Sequence, residues 1–72
     1  MPVFRVSYRA DDDGAGGQRP RPDDLVEADR VELESEVWLV FRRTVFVIGA
    51  PRDVVVRRLP AAPVLDVAEV LA

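Results

Sequence analysis

Seventy-two residues with a net charge of −3 make one small, mildly acidic domain whose own core must be thin, because a chain this short hides only about 60% of the surface its unfolded form exposes. The absence of cysteine and histidine excludes disulfides and the usual zinc sites as staples. Small domains that lack both commonly rely on association instead, so contact with copies of itself or with another protein is favoured from the outset.

Val3 to Arg9 alternates, with Phe4, Val6 and Tyr8 on one side and Val3, Arg5 and Ser7 on the other. That period of two predicts a half-buried strand. Residues 10–24 combine Asp, Gly and Pro without an apolar anchor and read as a flexible acidic loop. Asp11, Asp13 and Gly16 sit at calcium-loop positions one, three and six, but Ala15 and Pro22 occupy positions that need oxygen ligands, so the motif fails.

In the next stretch Val26 and Ala28 hold even positions, whereas Val31, Leu33, Val37, Leu39 and Phe41 hold odd ones. One residue of slip inverts every side chain of a strand, so a break is expected at Asp29-Arg30. Ser35-Glu36 reads as a tight turn, although neither residue favours a positive φ. Val37 to Ile48 is then two strands or one long kinked one. Gly49-Ala50-Pro51-Arg52-Asp53 reads as a turn, with Val45–Ile48 and Val54–Leu59 as the hairpin around it. Pro60 and Pro63 are expected to end regular pairing. The tail VLDVAEVLA has Val64, Val67, Ala68 and Leu71 at helical spacing, yet its β-branched alternation favours a short strand. The expected fold is mostly β, a single domain over residues 1–72. Five to six short antiparallel strands form a meander, a curled sheet or a small open barrel, with a short C-terminal helix as the variant at the end.

Three strand segments are apolar in both phases: VWLVF from Val37, VFVI from Val45 and Val54-Val55-Val56. A one-sided sheet alternates apolar and polar, and so short a chain lacks the material to cover two apolar faces. Trp38, Val40, Phe46 and Ile48 are therefore the candidate interface. The function expected from this is a non-catalytic interaction module, self-associating or acting as a small accessory subunit, through that face or by strand addition at a sheet edge. The competing reading is a closed barrel whose interior takes up one phase.

Chemistry is poorly provided for. With no His, Cys or Lys, the row Glu32, Glu34 and Glu36 is the best acid–base candidate, at about 7 Å spacing if extended, and a solvated strand face accounts for it better. No catalytic residue, cofactor, metal site or small-molecule substrate is expected. Arg42, Arg43, Arg52, Arg57 and Arg58 fall at strand ends and in the predicted turn, where they could gather to bind phosphate. A small nucleic-acid-binding barrel is thus the alternative function. The overall acidity of the chain weighs against it, and the same arginines can pair with Glu27, Asp29, Glu32 and Glu34 across the sheet.

No apolar run approaches the ~20 residues that span a bilayer, and Arg5 and Arg9 interrupt the segment where a signal peptide would be apolar. A cytoplasmic location without membrane contact is expected. All ten basic residues are arginine, asparagine is absent, and Ile48 is the one isoleucine, a composition that reads as high-GC coding. The run VEADRVELESEVWLVFRRTVFVIGAPRDVVVRRLPAA resembles a group of short, uncharacterised β-rich proteins of actinobacteria, in which V-x-A-D-R-V precedes apolar strands, a Pro-Arg turn and a closing R-R-x-P-A. The resemblance implies a small β domain and a high-GC bacterial source; no activity or functional residue comes with it.

Overall fold

The computed structural model describes residues 2–12 and 14–70; Asp13 of the acidic loop and Leu71 of the tail lie outside the described residues. The described chain is all β. It forms strands β1 (Val3–Tyr8), β2 (Asp11–Asp12), β3 (Gln18–Arg19), β4 (Asp24–Glu27), β5 (Arg30–Glu34), β6 (Trp38–Val47), β7 (Ala50–Pro60) and β8 (Val64–Val70). They make three antiparallel sheets, ordered β4-β1-β8, β2-β3 and β5-β6-β7, and none closes into a barrel.

The two three-stranded sheets share one core. Strand β1 contributes Phe4, Val6 and Tyr8, as its alternation requires, while β6 contributes Leu39 and Phe41 from the opposite sheet. Phe4 meets Phe41 edge to face with ring centroids 6.0 Å apart, a geometry that aromatic quadrupoles favour. The switch of phase between Ala28 and Val31 is where the chain leaves one sheet for the other. Val26 and Ala28 are buried as part of the first layer, and Val31 packs against the same core from the second. The backbone groups at this corner are satisfied across it: Ala28 N–H donates to the Pro2 carbonyl (3.2 Å) and Asp29 N–H to that of Arg42 (2.8 Å).

Ser35 and Glu36 form the predicted turn with φ of 53° and 58°, and Val37 N–H donates to the Glu34 carbonyl (3.1 Å). The tail is a strand, β8. It does not extend the meander past β7 but returns beside β1, with Val6 opposite Val67. Arg9 N–H to Pro63 (2.9 Å) and Val64 N–H to Ala61 (3.0 Å) hold that return.

Two expectations are corrected. The loop 10–24 carries the short β2-β3 hairpin, because Gly14 and Gly16 take positive φ and the Asp12 carboxylate accepts the Gly14 N–H (2.9 Å). The second correction is larger. The reversal expected over residues 49–53 is a two-residue turn at Ile48-Gly49, and Pro51, Arg52 and Asp53 are already in β7. Positive φ at both central residues (51° and 76°) matches the right-handed twist of the flanking strands. The tight turn also lets five further residue pairs form, from Arg43–Val54 to Val47–Ala50.

Candidate functional site

On the arm side β5 stops at its first residue, Arg30, opposite Arg42, whereas β6 and β7 run on without a third strand among the described residues. The free part, residues 43–54, is a two-stranded arm about 17 Å long. It accounts for the elongated shape: the radius of gyration is 14.9 Å, against about 11 Å for a compact domain of this length.

A collar marks where the arm begins. Thr44 N–H has no β5 residue to pair with, and the Asp29 carboxylate accepts it at 2.6 Å. Arg30 reaches across β6 to Asp53 on β7 and also holds Glu32. These two carboxylates, Glu32 first, hold the Arg30 guanidinium above its ordinary pKa.

Beyond the collar the side chains are apolar and uncovered. Phe46 is 74% exposed, and Ile48 is as exposed as a free residue at 102%. Strand alternation sets Phe46 and Pro51 on one face, with Val45, Val47, Arg43, Arg52 and Val54 on the other. Ile48 is unfavourable twice over. A β-branched residue in the left-handed region is a genuine outlier, costing roughly 1–2 kcal/mol where Gly or Asn would sit easily. Its side chain meanwhile offers water a full apolar surface.

The four predicted interface residues divide. Phe46 and Ile48 lie at the tip of the arm. Trp38 lies about 27 Å away along β6, with the Arg58 guanidinium 5.7 Å from its ring centroid. Val40 is fully buried at 0% exposure and offers no surface of its own. Its register neighbours are Glu32 and Arg58. Ion pairs Arg42–Glu32 (3.2 Å) and Arg58–Glu34 (3.2 Å) lie on the same sheet face and roof it over. A phase count detects that Val40 faces away from the core; it is blind to long side chains folding over it.

The arginines do not form one patch. Arg42 and Arg58 lie on the outer face in the pairs just described, and Arg57 turns inward to Asp24 (3.3 Å). Arg43 and Arg52 stand on the inner face of the arm, and neither has an ion pair among the described residues. The glutamate row is likewise divided: Glu32 and Glu34 hold arginines, and Glu36 is in a turn. No cluster of three potential metal ligands occurs among the described residues. No described helix is long and apolar enough to cross a membrane. No family model, curated protein or solved structure matches this chain.

Two features escaped the sequence reading. At the end opposite the arm is a groove of about 410 Å³, lined by Arg9, Glu36, Val37, Pro60, Ala61, Ala62 and Val64. Its walls come from three distant segments, so no local motif announces it. The second is a half-buried knot where the loop meets β1 and β4. The Tyr8 hydroxyl donates to Asp24, and Arg21 stacks 3.9 Å over its ring. Burial, and next the bond to Asp24, push the Tyr8 hydroxyl above its ordinary pKa.

Proposed function

We infer that this chain is a non-catalytic interaction module whose contact element is the β6-β7 arm. The carrying observation is Ile48: a β-branched side chain held at φ 51° and fully exposed, where a smaller polar residue would fold more easily. Local strain of this kind, kept at an exposed site, points to a role outside the fold. Phe46 beside it adds a large apolar surface, and burying the two would contribute roughly 1.5–3 kcal/mol each.

Strand addition along β7 has less support. Its free edge carries Pro51 and Pro60, which cannot donate, and an irregularity opposite Phe41/Arg42. Prolines and bulges are the devices by which edge strands resist pairing. Nucleic-acid binding through the arginines remains the second reading, supported by Arg43 and Arg52, which have no ion pair among the described residues. It predicts retention on an oligonucleotide column that falls steeply with salt.

The test is the double variant Phe46→Ser with Ile48→Asn. It should keep the circular dichroism of the native fold and lose association by light scattering or cross-linking. Unchanged association in a folded double variant would remove the arm from the contact.

A further inference from the structure

Resting on that reading of the arm, we propose that its occupant is a second copy of this chain: the tip of one arm seats in the groove of the next, head to tail. The two elements lie at opposite ends of the β6-β7 ribbon. Val37, on the groove, and Ile48, at the tip, are about 37 Å apart along the strand, so the arm cannot reach its own groove.

The surfaces are complementary. The tip presents Phe46, Ile48 and Pro51; the groove presents Val37, Pro60, Ala61, Ala62 and Val64. One pair of opposite charges is also available. Arg52, in the third ladder pair from the turn, has no acidic partner among the described residues. Glu36 on the groove wall, which Arg9 also lines, has no basic partner among them either. A seated tip carries Arg52 to that wall, and opposite charges in register fix the orientation.

The accessible surface is 5272 Å², about 800 Å² above the roughly 4,450 Å² typical of a folded chain of this mass, so the extended arm leaves surface for a partner to cover. Because arm and groove are different patches, a contact made once per pair builds a ring or an open chain, whereas two copies that exchange tips reciprocally close a twofold dimer.

Complementation tests this. Ile48→Asp blocks the arm and Ala62→Arg blocks the groove; both positions are exposed, and Phe46→Ser and Val37→Arg serve if either fails to fold. Wild-type protein should grow in mass with concentration by light scattering, and each variant alone should associate at least tenfold more weakly. Mixed one to one, the variants retain one working arm and one working groove, so they should form a species of twice the monomer mass and nothing larger. A wild type that stays monomeric up to about millimolar concentration, in the range where weak contacts still register, overturns the proposal. So does a mixture of variants that fails to pair. Association lost in Ile48→Asp but kept in Ala62→Arg overturns the head-to-tail contact and leaves the arm in place. Association that survives Ile48→Asp overturns the arm as well.

Discussion

The body and the arm share the strands β6 and β7 and the same kinds of apolar residue, yet they obey different rules. Between Trp38 and Arg42, β6 has a neighbour on each side, a second sheet beneath Phe41 and ion-paired side chains over Val40, so both residues are fully buried. Between Arg43 and Val47 it has β7 alone, and Phe46 and Val47 face water. An isolated two-stranded ribbon is marginal by itself. The arm stands because the body anchors one end and the Asp29–Thr44 and Arg30–Asp53 contacts clamp its base. The comparison teaches that apolar sequence in this protein serves the fold in one half of a hairpin and not in the other.

The sharpest way to break that comparison is to truncate one phenylalanine from each half. Phe41→Ala should cost about 3–5 kcal/mol by urea denaturation, enough to unfold so small a domain. Phe46→Ala should stay within about 0.5 kcal/mol of wild type. Equal losses would mean that the arm is part of the core.

Tyr8 sharpens the view of the body. Tyr8→Phe removes a bond to a carboxylate and should cost roughly 1.5 kcal/mol. The folded protein holds the Tyr8 proton more tightly than the unfolded chain does. Its contribution is therefore complete below about pH 10 and lost as pH rises through the raised value. Stability measured across that alkaline range should fall more steeply in wild type than in Tyr8→Phe.

In the arm the expected sign reverses. Ile48→Asn should raise stability by about 1 kcal/mol, because Asn accepts the left-handed conformation that isoleucine resists. The same substitution should weaken association. A variant both less stable and equally associated would contradict the role assigned to Ile48. The smallest effect is expected on the outer face of the body. Glu34→Gln breaks an exposed pair with Arg58 and should cost less than about 1 kcal/mol, a difference that shrinks further in 1 M salt.

Much of this architecture was legible in the residues alone. Alternation placed Phe4, Val6 and Tyr8 together, and the change of phase located the corner at Asp29-Arg30, because a strand's period of two admits no compromise. The all-β class and the Ser35-Glu36 turn follow from the same local logic. The tail was open between helix and strand until β1 supplied the pairing partner for β8.

What local pattern could not decide was which neighbours each strand acquires. Pro51 reads as a turn residue until β7 is seen to be an edge, where a missing N–H costs nothing. Val40 and Ile48 look alike as outward-phase apolar residues, and they end at the two extremes of burial. One lies under arginines and glutamates delivered by adjacent strands, and the other lies beyond Arg30, the residue of β5 nearest the arm. Periodicity determines the face a side chain takes, because it is a property of one strand. Coverage of that face belongs to the sheet, and only the tertiary structure brings together the distant segments that supply or withhold it.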